Sequence, residues 1–255
     1  MFPTRVLVQK DLHDAGVVGL EMAARGVPVD VREAGDKLSD VTRADLVVGD
    51  FEWTRRALGR LGIPMPSPPD YPKCLAHLLH RRIWTSTLAE VKALVDSGDA
   101  PPQTFIKPSE DTKAFSGVIE PRDNMLGCLL EGIPDVLAPL PPTLPVYCAE
   151  VVELLSEVRA YVVTGEIRAV CHYLGDKDLL PDRAVMEDAV RTLCASEEGV
   201  ALTGFAADFA VMVKDGEHIT VLVEVNDGYS LGRYPCLSHA DYTDLIATRW
   251  QSVVQ

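Results

Sequence analysis

The chain has 255 residues, 47% of them hydrophobic and 24% charged, which is enough apolar material for one large or two to three small cores and argues against disorder. Its 38 Asp and Glu outweigh 24 Lys and Arg, and the net charge of −14 sets DNA or RNA binding at a disadvantage because a phosphate backbone is repelled on average. No apolar run approaches the roughly 20 residues that cross a bilayer, so no membrane partner is expected.

The opening MFPTRVLVQKDLHDAG lacks a basic stretch followed by a long apolar one, and a cytoplasmic location is the expectation. From there strand and helix signals alternate. Val6-Leu7-Val8 reads as a buried strand, residues 16–25 as a helix ended by Gly26, residues 27–31 and 44–48 as two more strands, and residues 53–61 as a helix before Gly62. That order predicts a small parallel α/β domain over residues 1–66. No GxGxxG is present, so no dinucleotide site is expected. The proline-rich residues 64–72 mark a boundary.

A second segment, residues 67–145, begins with a helical pattern running from Lys73 through His80 to Trp84, and a further helix is expected at residues 88–95. The strand TFIKPSED then carries Lys107, and a Ser/Gly-bearing turn carries Lys113. Proline-rich residues 134–145 separate this segment from the next. The third, residues 146–255, opens with a strand at residues 146–152, continues as two strands turning at Thr164-Gly165, and has a helix at residues 182–195. A hairpin of FAADFAVMVKDG and HITVLVEVNDG and a short terminal helix complete it. The six cysteines (Cys74, Cys128, Cys148, Cys171, Cys194 and Cys236) form no CxxC pair. They read as free thiols in a reducing compartment, with a disulfide or zinc site the weaker reading.

Chemistry concentrates in the last hairpin. Asp208 and Glu224 sit in runs of Val, Ala, Leu and Phe, where a bare carboxylate is very costly and must be paired, hydrogen-bonded or metal-bound. Glu224 and Asn226 are two apart and so share a strand face, which Asp208 reaches across the hairpin. Two carboxylates and an amide oxygen are a hard donor set suited to magnesium that also takes phosphate ligands. The alternative is a solvated strand face ending in a turn at Asn226-Asp227-Gly228. Beyond it, Tyr229 and Arg233 lie on a loop that either faces substrate or is merely polar. Lys107 and Lys113 can place two ammonium groups on one polyphosphate, or are two surface lysines flanking a hairpin. Glu157 and Arg159 share a strand face and read equally as a structural ion pair or as a site in which Arg159, joined by Arg168, binds a carboxylate or a transferring phosphoryl group. Lys73, His77, His80, Arg81 and Arg82 are expected on one basic helix face.

In order and spacing these elements resemble the ATP-grasp superfamily, and Glu157-Val-Arg159 with Glu224-Val-Asn-Asp-Gly-Tyr229 resembles its RimK-like branch of small peptide or amide ligases distantly related to glutamate ligases. The resemblance implies an α/β (α+β) ATP-grasp fold, with a small Rossmann-like N-terminal domain and two α+β subdomains gripping the nucleotide. It implies ATP and Mg2+ as cofactors, with Asp208, Glu224 and Asn226 on the metal. Lys73, Lys107 and Lys113 would hold the nucleotide phosphates, and Glu150, Glu153 and Glu157 would contact the nucleotide, the first two from the hinge. Arg159, Arg168, Tyr229 and Arg233 would meet the substrate, with Lys113, Arg159 and Arg168 serving the chemistry. The implied reaction joins a small-molecule or peptide carboxylate to an amine through an acyl phosphate. A phosphotransferase and a non-catalytic nucleotide-binding module remain alternatives, and a homodimer is left open.

Overall fold

A computed structural model describes residues 3–67, 69–99, 101, 103–110, 114–120 and 125–255. The chain forms two compact units, Met1–Leu78 with Leu154–Gln255, and Leu79–Glu153.

The first unit starts with β1 (Arg5–Gln9), α1 (His13–Ala24), β2 (Val29–Arg32), β3 (Asp45–Val48) and α2 (Phe51–Arg60). The strands are parallel in the order β2-β1-β3. Val6, Leu7, Val8, Leu46, Val47 and Val48 are buried, as parallel strands covered on both faces require. Asp50 caps α2: its carboxylate accepts from the Trp53 N–H at 2.8 Å and from Gln9 Nε2 at 2.7 Å. The tight junction before it needs Gly49, because a Cβ there would run into the Trp53 ring and the Gln9 side chain. These five elements match the sequence expectation.

The second unit contains β4 (Ile83–Thr87), α3 (Leu88–Ser97), β5 (Thr104–Pro108), β6 (Val118–Glu120), α4 (Met125–Glu131) and β7 (Pro145–Glu150). Its antiparallel sheet runs β4-β7-β5-β6. Three sequence expectations need correction here. The helical pattern from Lys73 stops as a 3-10 helix at Leu78, His80 takes a left-handed φ of 47°, and Trp84 lies in β4. The single basic helix face therefore does not form. Proline-rich residues 134–145 do not separate two units: Leu137 and Leu140 pack on the core of Leu88, Ile106, Leu129 and Val146, and the stretch leads into β7. Strand β7, read as the opening of the third segment, pairs with β4 and β5. Helix α3 is as expected and starts with a capping box between Thr87 and Glu90.

The first unit resumes with β8 (Ser156–Val163), β9 (Glu166–Gly175), α5 (Arg183–Ala195), β10 (Gly204–Lys214), β11 (Glu217–Asp227) and α6 (His239–Val254). The four strands form an antiparallel sheet in the order β11-β10-β8-β9. Thr164-Gly165 and Asp215-Gly216 take positive φ at the two hairpin turns, as the right-handed twist of paired strands favours. The terminal helix is longer than read from sequence, at 16 residues. Tyr242, Leu245, Ile246, Arg249, Trp250 and Val254 recur at helical spacing on its buried side. One core thereby joins Val6, Met22 and Leu46 to Tyr161, Ala206, Leu245 and Trp250.

At the edge of that core, Arg5 bridges Asp45 (3.0 Å) and Asp40 (2.9 Å), and Thr42 also donates to Asp45. Burial opposes the charge on Asp45, but the bonds from Arg5 and Thr42 outweigh it and hold the carboxyl below the usual range. A lowered folded pKa means that this stabilisation is complete above the unfolded value, about 3.9, and is lost as the pH falls through the folded one. Urea unfolding of the Asp45→Asn variant will therefore show lower stability than the parent at pH 7, with the difference shrinking below about pH 4.

Candidate active site

Four side chains of the antiparallel sheet lie in one row. Glu224 on β11 is directly opposite Asp208 on β10, Asp208 is opposite Arg159 on β8, and Arg159 is opposite Cys171 on β9. Residues opposite one another across a sheet share a face. The pairing is irregular at Asp208/Phe209 on one side of the row and at Glu157/Val158 and Tyr161/Val162 on the other. Such irregularities re-aim side chains locally.

Asp208 is 2% exposed. Arg159 answers its charge with a two-pronged bond, Nε to Oδ1 at 2.8 Å and Nη2 to Oδ2 at 2.7 Å. The Asn226 carboxamide closes the group, with Nδ2 donating to Asp208 Oδ2 at 3.2 Å and to Glu224 Oε1 at 3.1 Å. Burial pushes the Asp208 carboxyl up; Arg159 pulls it down, and Glu224 and Glu157 add to the rise. For Arg159, burial works against the charge, but the bond to Asp208 prevails and raises its pKa. Glu157 does not pair with Arg159. It accepts from the Tyr173 hydroxyl at 2.7 Å. Burial, then the nearby Asp208 charge and the bond to Glu157, push that phenol well above its ordinary range.

An aromatic wall stands beside the row. The Tyr234 ring lies 5.3 Å from the Arg159 guanidinium, stacks on Tyr173 at 5.4 Å and meets Tyr161 edge-on at 6.5 Å. Tyr234 rides on the loop of residues 231–237, which is tethered along its length. The Tyr161 hydroxyl donates to the Gly232 carbonyl at 2.9 Å and accepts from the Tyr234 N–H at 2.8 Å. The Tyr242 hydroxyl donates to the Leu231 carbonyl, and Asp14 accepts from the Arg233 N–H.

Cys236 at the end of this loop is joined to Cys171 by a disulfide, with Cα atoms 5.7 Å apart. This corrects the expectation of six free thiols, since Cys74, Cys128, Cys148 and Cys194 alone are free. Of those four only Cys148 is fully buried.

The structure thus brings Asp208, Glu224, Asn226 and Arg159 together, and Glu157 beside them through Tyr173. Others lie elsewhere. Arg168 is exposed and pairs with Glu166 at 3.2 Å. Tyr229 is buried, its ring 6.2 Å from that of Phe51, so its side chain is part of the core. Arg233 turns back on its own loop, donating to the Leu237 carbonyl at 2.8 Å. Lys73 and Cys74 donate their backbone N–H groups to Glu198. In the second unit Lys107 is opposite Tyr147 across β5 and β7, with its ammonium 5.9 Å from that ring. Glu150 accepts from the Arg82 N–H at 2.9 Å, and Glu153 is exposed after β7. Lys113 lies outside the described residues. Among the described residues no group of three or more His, Cys, Asp or Glu is gathered for a metal; the expected set has two carboxylates and one carboxamide.

Tyr161, Tyr234 and Cys171 were not singled out by the sequence reading. Tyr161 had a usable signal, since it continues the Glu157, Arg159 alternation along β8. Cys171 and Cys236 are 65 residues apart, and spacing alone does not pair them.

A family model described as an ATP-grasp domain, family 2 of the R-2-K clade, matches residues 78–245. The chain belongs to that family. Solved ATP-grasp structures share the fold at low identity. A RimK domain protein ATP-grasp from Sphaerobacter thermophilus is 14% identical, with a TM-score of 0.55 over 98% of this chain and 100% of that one. D-alanine–D-alanine ligase from Bacillus anthracis, complexed with ATP, is 16% identical, with a TM-score of 0.55 over 100% and 96%. The macrocyclase MdnC from Microcystis aeruginosa, bound with its precursor peptide MdnA, is 12% identical, with a TM-score of 0.54 over 95% and 98%. No curated protein matches the chain. The α+β ATP-grasp architecture expected from the sequence is thereby established.

Two outcomes follow for this ATP-grasp chain. Alkylation of the denatured protein without reductant will label four cysteines, rising to six after reduction, by mass spectrometry. Replacing one partner of the buried pair, as in Arg159→Met, will cost about 3–5 kcal/mol in urea unfolding. The double variant Arg159→Met/Asp208→Leu will recover most of that loss, because no buried charge is left bare.

Proposed function

We propose that the chain is an ATP-dependent carboxylate–amine ligase that forms an amide or peptide bond through an acyl phosphate and releases ADP and phosphate. The single observation that carries this reading is the Asp208–Glu224–Asn226 cluster with Arg159 on one face of the sheet. Membership in the ATP-grasp family supports the nucleotide. Ligation draws support from the structural neighbours, which include a D-alanine–D-alanine ligase with ATP and a macrocyclase with its precursor peptide.

The residues fit magnesium. Their oxygens are hard donors, the carboxamide spans both carboxylates, and a cationic guanidinium already balances the buried Asp208 charge. Asp208, Glu224 and, after a half-turn of its carboxamide, Asn226 would hold the ion, which supplies neutralising charge to the ATP phosphates. Lys107 and Lys113 would neutralise nucleotide phosphates, as the family resemblance implies. Glu150 ends β7 and Glu153 lies three residues beyond it, where the family resemblance puts the adenine and ribose contacts. Arg159 offers a planar fork that matches a carboxylate or a phosphoryl group in two-pronged fashion. Released from Asp208, it would hold the substrate carboxylate in line for phosphoryl transfer, the positioning and charge stabilisation that this chemistry chiefly needs. Arg168 is the second candidate for that carboxylate. Glu157, fixed by Tyr173, adds negative charge near the Asp208 carboxyl. The acid and the amine would be amino acids, peptides or a protein end.

The test is a screen of amino acids and dipeptides for amine-stimulated phosphate release, with the product weighed by mass spectrometry. Glu224→Gln and Asn226→Ala are expected to lower that turnover by about a hundredfold or more while remaining folded. Full turnover in both variants overturns the metal assignment. ADP formed with no amine requirement, accompanied by a stable phosphorylated product, replaces ligase with phosphotransferase.

A further inference from the structure

The loop of residues 231–237 is held far more firmly than a surface connection needs. Leu231, Gly232, Arg233 and Tyr234 each give a backbone group to a side chain elsewhere in the unit, and Cys236 is covalently tied to β9. Three of these tethers, two on the Tyr161 hydroxyl and one on Cys171, converge beside Arg159. Cys171 is its cross-strand neighbour, and Tyr161 lies two residues along the same strand. What the tethers fix is the Tyr234 ring, lodged between the Arg159 guanidinium and the Tyr173 ring. Tyr173 in turn donates to Glu157. A guanidinium on an aromatic face is attracted by the ring's electron density, and more strongly where water is excluded. Arg159 is thus confined from two sides, by the Asp208 carboxylate and by the Tyr234 ring.

We propose that Tyr234 is a positioning residue, whose ring, anchored by the Tyr161 hydroxyl and the Cys171–Cys236 disulfide, sets where the Arg159 guanidinium stands in the site. The proposal deepens the ligase reading above and rests on it for the consequence in turnover, but not for the placement of Arg159. Rotation of a long arginine side chain is restricted by the ring, so its fork is preorganised for a planar anion once it leaves Asp208. A misplacement of about 1 Å in such a group is enough to lower a rate about a hundredfold. Tyr234 itself offers its face and not its hydroxyl to Arg159, so Phe preserves the effect while Leu and Ala remove it.

Placement is read from the Arg159 Nε–H resonance, assigned by its disappearance in Arg159→Met. Its bond to Asp208 Oδ1 slows exchange with water and moves the signal away from exposed arginines. In Tyr234→Ala and Tyr234→Leu the signal is expected to shift and broaden, and in Tyr234→Phe to return to the parent position, with thermal unfolding confirming that all are folded. Unchanged signals in both Ala and Leu variants overturn the proposal. In turnover, Tyr234→Ala is expected to lower kcat by about tenfold or more with the KM for ATP little changed. The same substitution in the Arg159→Met background is expected to change kcat by less than about twofold, because it acts through Arg159. An equal loss in both backgrounds marks Tyr234 as merely structural and overturns the proposal. Absence of any amine-dependent turnover in the parent chain counts against the ligase reading and leaves the resonance to decide the placement.

Discussion

A carboxylate sealed into an apolar sheet is the constraint on which the site depends. Asp208 stands on β10 with Ala207 and Phe209 beside it, and water is all but excluded. Left alone it would take up a proton or destabilise the sheet by several kcal/mol. Its neighbours can be understood as the answer to that problem: Arg159 across one strand boundary, Asn226 and Glu224 across the other. One guanidinium serves Asp208, while Glu224 and Glu157 press its carboxyl upward.

The rest of the first unit holds this cluster in place. The chain leaving β11 runs directly into the ends of the N-terminal parallel strands. Tyr229 packs on Phe51 at the start of α2, Ser230 donates to the Gly49 carbonyl, and Arg233 donates to Asp14 at the start of α1. The N-terminal α/β elements and the antiparallel sheet therefore share one core, and α6 lies between them with Trp250 donating to the Asp45 carbonyl. Rigidity around residues 231–237 comes from this docking. It is why Tyr229 and Arg233, which look like substrate-facing groups in the sequence, are used as anchors.

The fold was legible wherever the signal was local. Continuous apolar runs identified the parallel strands, Gly-containing turns located both hairpins, and the two-residue spacing of Glu224 and Asn226 put them on one face. What could not be read was register. Glu157 and Arg159 share a strand face, which made them look like an ion pair; the pairing of β8 with β10 instead sets Asp208 directly opposite Arg159. The same long-range pairing decides that Cys171 meets Cys236. Local signals also misled at the proline-rich residues 134–145 and at residues 73–84. Helical spacing of basic groups predicted one face there, whereas His80 turns to positive φ and the chain becomes strand β4.

A second Arg–Asp pair joins the end of β11 to α6. Asp227, one residue past Asn226, receives Arg249 through Nε at 2.7 Å and through Nη2. Arg249 directs its remaining nitrogen to the Ala201 carbonyl and to Ser252, and both partners of the pair are buried. Among the described residues no other carboxylate is bonded to either partner, and Asp227 also caps the short turn at Gly228–Ser230. Charge balance there is one to one, and the geometry is closed, as a structural pair requires. The Arg159–Asp208 pair has the same two-pronged bond but a different surrounding. Its guanidinium retains 15% exposure, faces an aromatic ring instead of further acceptors, and is flanked by two more carboxylates. Two pairs with the same two-pronged bond thus divide by what surrounds them. The closed pair locks α6 to the sheet, and the open one keeps part of its guanidinium exposed beside the Tyr234 ring.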